Sequence, residues 1–276
     1  MNPHQAHPDT PVAMFMSLWL NRRLIWQMTR REVVGRYRGS IMGLAWSFFN
    51  PLLMLVVYTF VFSVVFKARW GVVGEESRTD FAILLFVGMI VHGLFAECIN
   101  RAPCLIISNV NYVKKVVFPL EILPWVTMGS ALFYSLISTV VLLLAQLIIK
   151  GILPCTCLLF LLVLLPLVFA GMGFAWFLAA LGVFVRDIGQ ITGILTTMLM
   201  FMSPVFYPLS ALPKVYQGWL QLNPLTLIIE ESRKVLVFGC LPDWPSLGIA
   251  MLGGLAIAAV GFWWFQKTRK GFADVL

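Results

Sequence analysis

The sequence predicts an all-α integral membrane protein with six transmembrane helices per subunit, an N-terminal amphipathic interface helix, and partly membrane-embedded external helices between spans 5 and 6. Three observations predict it. Of 276 residues, 60% are hydrophobic and only 12% are charged, against roughly 25% charge in soluble domains. The mean hydropathy is +0.91, and a core of this size cannot hide that much apolar surface, so the solvent is lipid. Six segments have the length and composition of crossing helices, which need about 20 apolar residues. They are 44–66, 81–99, 122–149, 153–182, 189–208 and 246–265.

Taken in order, residues 1–11 carry Pro3, Pro8, Pro11 and two histidines and read as a flexible tail, and 12–276 as a single transmembrane domain. Met14 to Leu20 is too short, and too soon followed by charge, for a cleavable signal. Residues 12–35 predict an amphipathic helix in the interface. Phe15, Leu18, Trp19, Ile25 and Met28 give its apolar contacts, and Arg22, Arg23, Arg30 and Arg31 its charge. Residues 101–121 form a loop with a short helical stretch. Pro166, Gly171 and Gly173 mark the long fourth span as kinked or tilted. Residues 209–245 are too apolar for a free loop. Asn223 and Pro224 start a helix there, Gly239 stops one, and Leu225, Ile228, Ile229, Ser232, Val235 and Leu236 repeat at helical spacing. Ala250, Gly254 and Ala258 at i, i+4, i+8 form a close-packing face on the sixth span.

The net charge of +8 follows from topology. With the N-terminus inside, Arg22, Arg23, Arg30, Arg31, Arg36, Arg38, Arg101, Lys114, Lys115, Arg186, Lys267, Arg269 and Lys270 face the cytoplasm. Lys67, Arg69, Arg78, Lys150, Lys214, Arg233 and Lys234 face outward. That is 13 against 7, which places both termini in the cytoplasm and removes the need for a nucleic-acid partner.

Ionisable groups inside a bilayer mark proton or ion coupling. Here only His92 sits mid-span, with Glu97 near the cytoplasmic end of the second span, and a lone His is more often bonded to a neighbouring helix. Glu75, Glu76 and Asp80 cluster outside without a nearby His, and Cys98, Cys104, Cys155, Cys157 and Cys240 have no metal spacing. No metal site, membrane enzyme or proton-driven pump follows. No G-x-x-x-x-G-K-[ST] loop is present, so any ATP that drives this chain binds another polypeptide.

The spans carry hydroxyls and aromatics instead. Thr192, Thr196, Ser203 and Tyr207 fall within about 60° of one face of the fifth span. Ser47, Asn50, Met54, Tyr58 and Phe62 form a stripe of roughly 120° on the first. Uncharged polar and aromatic surfaces suit a sliding sugar chain. Hydrogen bonding between helices is the competing reading for any one of them.

Four blocks then occur in order: R-R-E-V-V-G-R-Y-R-G-S-I-M-G-L-A-W-S-F-F-N-P-L at Arg30 to Leu52, N-V-N-Y-V-K-K-V-V-F-P-L-E-I-L-P at Asn109 to Pro124, F-V-R-D-I at Phe184 to Ile188, and S-P-V-F-Y-P at Ser203 to Pro208 followed by N-P-L at Asn223 to Leu225. With them the chain resembles the permease subunits of ABC exporters for lipid-linked polysaccharides. O-antigen permeases are nearest, and teichoic-acid permeases close behind. Capsule exporters differ in the first block.

The resemblance implies a homodimer above two ATPase subunits, in a bacterial inner membrane. ATP and Mg²⁺ sit on those subunits, and no cofactor is bound by this chain. A channel at the dimer axis is implied, lined by the first and fifth spans and so by the two stripes. The partly buried external helices would gate its outer mouth, and Phe206 and Tyr207 at the outer end of the fifth span are expected to help seal it as the outer gate. For an undecaprenyl-diphosphate-linked glycan, Arg36 and Arg38 just before the first span are the expected contacts of the diphosphate, with anchoring to lipid headgroups or contact with the ATPase as the equal alternative. Arg30, Arg31, Asn109, Asn111, Tyr112, Lys114 and Lys115 couple to the ATPase. An ABC permease for small hydrophobic molecules and a glycan-modifying membrane enzyme remain the rival classes.

Overall fold

The computed structural model describes residues 10–65, 78–114, 118–211, 213–221 and 223–276. Lys115, the acidic pair Glu75 and Glu76, and most of the N-terminal tail lie outside the described residues.

The expected interface helix is two helices. α1 spans Pro11–Leu20 and α2 spans Arg22–Arg36. Thr10 starts α1 by accepting from the Ala13 amide at 3.3 Å, with Pro11 in the first turn. Asn21 separates them, its side-chain amide donating to the Ser17 carbonyl at 2.9 Å and so satisfying the end of α1. α1 is apolar on all sides and packs into the bundle through Met14, and through Phe15 against Phe169. α2 alone is amphipathic. It buries Ile25, Thr29 and Val33 at i, i+4, i+8 and leaves Arg22, Arg23, Arg30 and Arg31 exposed. Thr29 sits directly over Gly129, where an added Cβ would lie 2.8 Å from its hydroxyl.

A turn with Gly39 at φ 89° and Gly43 at φ 51°, conformations open to glycine, leads into α3, Trp46–Tyr58. A π-helical turn extends α3 over Thr59–Val65. α4 spans Arg78–Arg101, α5 Val110–Lys114, α6 Leu123–Lys150 and α7 Phe160–Phe184. α8 spans Ile188–Phe201, α9 Lys214–Gln221, α10 Pro224–Arg233, α11 Trp244–Thr268 and α12 Phe272–Val275.

Among the described residues, five helices are long and apolar enough to cross a membrane: those beginning near Gly43, Asp80, Leu120, Cys155 and Trp244. The expected fifth span, 189–208, is not one helix. α8 has 14 residues and rises about 21 Å, short of a ~30 Å hydrocarbon core. It ends because Pro204 has no amide to continue the ladder and disfavours helix at Ser203, whose hydroxyl bonds back to the Leu199 carbonyl at 2.6 Å. Turns occupy Met202 to Tyr207.

α4 is the central helix, with 78% of its most apolar window buried in the protomer, against 11% for the first span at the periphery. α7 and α11 form the tightest pair. A Cβ on Gly261 would lie 2.0 Å from the Gly173 carbonyl oxygen, one on Gly173 2.3 Å from that of Ile257, and one on Gly254 2.5 Å from that of Pro166. Gly173 and Gly182 of α7 thus serve backbone contact while Gly171 faces the Met128 side chain, and α7 runs on through Pro166. Gly254 and Ala258 of the small-residue face lie buried in this contact.

Charges divide the bundle's two ends. The basic end holds α2, the loop after α4, and the C-terminus. The far end holds Lys150 paired with Asp80 at 2.8 Å, and α10 wedged against α4 and α7. Asn223 caps α10 by accepting from the Leu225 amide at 3.0 Å, and Gly239 ends the following π-helical turn at φ 68°.

Candidate functional site

The two polar stripes part company. On α3, Asn50 and Met54 are exposed, Tyr58 and Phe62 half-buried, and Ser47 is buried with its hydroxyl on the Leu44 carbonyl at 2.6 Å. Around them the helix offers Phe48, Phe49, Leu53, Val56, Val57 and Phe60 to the outside. On α8 the stripe faces inward. Thr192, Thr196 and Ser203 are all at most 3% exposed. The Thr196 hydroxyl donates to Asn100 Oδ1 at 3.0 Å, and the Thr196 carbonyl meets His92 Nε2 at 2.9 Å. Ser203 Oγ accepts from the Asn223 side chain at 3.0 Å. Within the protomer none of the three lines a free surface: Thr196 and Ser203 bond to neighbouring elements, and the Thr192 hydroxyl donates to the Gly189 carbonyl of its own helix at 3.0 Å. His92, too, is an interhelical bond.

The outward face of α8 is the one sequence reasoning passed over. Gln190, Ile194, Thr197 and Phe201 are exposed at i, i+4, i+7, i+11. Periodicity finds polar faces, and α8 has two. What decides between them is Asn100 and His92 on α4, a helix 90 residues or more away in sequence.

At the far end the proposed gate residues meet the first span. Phe206 stacks on Phe62 at 6.1 Å between ring centroids and on Phe201 at 5.5 Å, and Phe62 stacks on Phe81 at 5.6 Å. Tyr207 donates its hydroxyl to the Phe201 carbonyl at 2.9 Å. Phe206 and Tyr207 are both half-buried.

At the basic end, four charges from two helices interlock. Glu97 pairs with Arg36 at 3.0 Å and with Arg101 at 3.4 Å, and Arg101 reaches Glu32 at 2.5 Å. The Arg36 guanidinium lies 4.6 Å from the Tyr134 ring centroid. Partial burial works against its charge, but Glu97 and Tyr134 outweigh that and hold its pKa above the ordinary value. Beside this network run two clefts of about 180 and 360 Å³, the first deepened by Met89, Gly93, Ser135 and Ser138. Arg38 is exposed and has no ion-pair partner among the described residues. The two arginines grouped by the sequence therefore differ: one is held by a carboxylate and the other is free.

The loop after α4 carries Asn109, whose side chain donates to the Leu105 carbonyl at 2.8 Å, and exposed Asn111 and Lys114. Tyr112 stacks on Phe118 at 4.4 Å. The C-terminus braces this loop, which the sequence did not signal. Arg269 pairs with Glu121 at 2.6 Å and donates to the Phe118 carbonyl at 3.0 Å. Among the described residues no three metal-ligand side chains converge.

Among the described residues, five helices long and apolar enough to cross a membrane mark a multi-pass membrane protein. The ABC-2 type transporter model matches residues 23–237, and the chain belongs to that family. It is thus the transmembrane permease of an ABC transporter, a multi-pass subunit that is not itself an enzyme.

Similar over nearly their whole lengths are two O-antigen export system permease proteins, both called RfbA. That of Myxococcus xanthus is 27% identical over 95% of this chain and 99% of its own, and one from Klebsiella pneumoniae is 23% identical over 90% and 93%. The polysialic acid transport protein KpsM of Escherichia coli is 25% identical over 87% of this chain and 91% of its own.

Proposed function

We propose that two copies of this chain, with two ATPase subunits beneath, export an undecaprenyl-diphosphate-linked O-antigen polysaccharide from the cytoplasm across the inner membrane. The names of the RfbA relatives support the cargo class. The observation that carries the reading is the exposed faces of α3 and α8, with Asn50 and Met54 on the one and Gln190 and Thr197 on the other among exposed apolar side chains, the two segments meeting at the far end through Phe62, Phe206 and Phe201. Set against a second copy, those faces enclose an uncharged path of amides, hydroxyls and aromatic rings. Such a surface hydrogen-bonds and stacks on a glycan without an ionic grip that would stop it sliding.

In this reading the termini are cytoplasmic, and the basic end receives the cargo. Arg38 makes the first contact with the diphosphate. Arg36 follows by exchanging Glu97 for phosphate oxygens, which offer the same paired hydrogen bonds. ATP-driven closure of the partner pushes on Asn109 to Lys114. The push passes through Tyr112, Phe118 and the Arg269–Glu121 pair into α6 and α11. Phe62, Phe201 and Phe206 close the far end at rest.

The test is transport by the permease–ATPase complex in proteoliposomes. The reading requires ATP-dependent translocation of a polyprenyl-diphosphate glycan. Failure to move it, alongside ATP-dependent movement of a small hydrophobic dye, contradicts the reading. The KpsM likeness keeps a capsular glycan as the alternative cargo, and the same vesicles loaded with that class of substrate decide between them.

A further inference from the structure

The loop between α4 and α6 carries α5, which is a single turn of five residues, Val110–Lys114. So short a helix forms too few backbone hydrogen bonds to offset the conformational freedom it loses, and it does not hold itself in water. None of its residues is buried. Its shape therefore depends on what packs against it.

The two ends of the loop are fixed by contacts of their own. At the start, Pro103 lies against α7, where a Cβ on Gly182 would come within 2.2 Å of the Pro103 carbonyl oxygen. At the end, Arg269 pairs with Glu121 at 2.6 Å and donates to the Phe118 carbonyl at 3.0 Å. α5 lies between these points, and α12 packs against it.

α12 has only four residues, but one of them anchors it. Phe272 is 0% exposed, while Ala273, Asp274 and Val275 are exposed. The Phe272 ring meets Phe265 of α11 edge-on at 5.5 Å between centroids, and Phe184, the last residue of α7, at 6.1 Å. Gly271 fits beneath the same Phe184 ring, since a Cβ there would lie 3.5 Å from its tip. Phe272 is thus a plug in the seam of the α7–α11 pair, and α5 rests on the turn that this plug holds. A close-packed aromatic seam compresses little, so a displacement of α5 passes into α7 and α11 and is not absorbed.

We infer that Phe272 is a positioning residue for coupling: it seats α12 on α7 and α11, and α12 holds α5 where the ATPase pushes. The inference rests on the coupling role proposed for Asn109 to Lys114. It adds a second route into the α7–α11 pair, at the middle of the loop, beside the Arg269–Glu121 pair at its end.

The test compares the wild type with Phe272→Ala, Phe272→Leu and Asp274→Asn. Trypsin is added to the full-length permease in detergent. Cleavage after Lys114 and Lys115 is timed against cleavage after Arg38, which lies in another exposed turn. Cleavage of a segment that opens locally tracks the population of its open form. Loss of the ring contacts in Phe272→Ala is expected to speed cleavage after Lys114 and Lys115 about tenfold, with Arg38 unchanged. Phe272→Leu gives a smaller rise, and it carries the comparison where Phe272→Ala is not recovered folded. In the permease–ATPase complex in proteoliposomes, Phe272→Ala keeps ATP hydrolysis and loses most of its glycan transport per ATP. Asp274→Asn, exposed on the same helix, matches the wild type in both assays. Wild-type cleavage in the folded Phe272 variants overturns the inference, and this arm needs no cargo, so its failure is distinct from failure of the proposed transport. Faster cleavage with undiminished transport per ATP overturns the coupling role of the loop and, with it, the positioning role of Phe272.

Discussion

Two buried or paired arginines show how differently one residue type behaves here. Arg36 is 46% exposed and Glu97 26%, so their pair is screened and contributes about 0–1 kcal/mol to stability. Arg233 is fully buried. It donates to the Leu84 carbonyl at 3.1 Å and the Val205 carbonyl at 3.2 Å besides Glu230, tying α10 to α4 and to the segment after α8. Burial lowers its pKa to about 10, with Glu230 opposing that shift, so it stays charged near neutrality.

Arg233→Met strands Glu230 and two carbonyls and is expected to cost about 3–5 kcal/mol, read as a large drop in the detergent melting temperature. Arg38→Ala, at an exposed site with no ion pair among the described residues, is expected to leave melting unchanged but to weaken binding of a lipid diphosphate about tenfold. Unchanged diphosphate affinity would remove Arg38 from substrate capture. In the sequence Arg233 counts as one more external cation. Yet it stands four residues after Ile229 and three before Leu236, on the face whose apolar spacing marks α10 as buried. The signal was in the periodicity, and the residue's charge argued the other way.

The helices most legible in the sequence are those whose period and length agree with their surroundings: the five long ones, and α10 with its Asn223 cap and Gly239 stop. Those misread are broken by single residues inside apolar runs. Asn21 divides α1 from α2, and Pro204 ends α8, while hydropathy passes over both. The choice between the two polar faces of α8 was illegible for another reason, since it depends on which one α4 covers.

The small residues of α7 and α11 give the sharpest test at this scale. Gly261→Leu places a side chain into the Gly173 backbone, which cannot retreat. It is expected to cost more than ~3 kcal/mol and to lose folded protein on size-exclusion chromatography. Gly248→Ala, where nothing lies within 4 Å of the added carbon, is expected to behave as wild type. Equal behaviour of the two would mean that α7 and α11 are not held by backbone contact.

For the whole molecule the unbalanced burial matters most. The first span leaves most of its surface uncovered, and α8 presents Ile194, Leu195, Met198 and Phe201 outward. Lipid satisfies apolar side chains but not the amide of Asn50 or Gln190, and the wet path proposed between two copies would. Crosslinking between copies tests this claim most directly. In a background lacking Cys98, Cys104, Cys155, Cys157 and Cys240, single cysteines at Met54, Thr197 and Ile249 are treated with a short bis-maleimide in membranes. The account requires Met54→Cys and Thr197→Cys to join two copies and Ile249→Cys, on the lipid-facing side of α11, to stay monomeric. Dimers through Ile249→Cys with none through Met54→Cys or Thr197→Cys would contradict it.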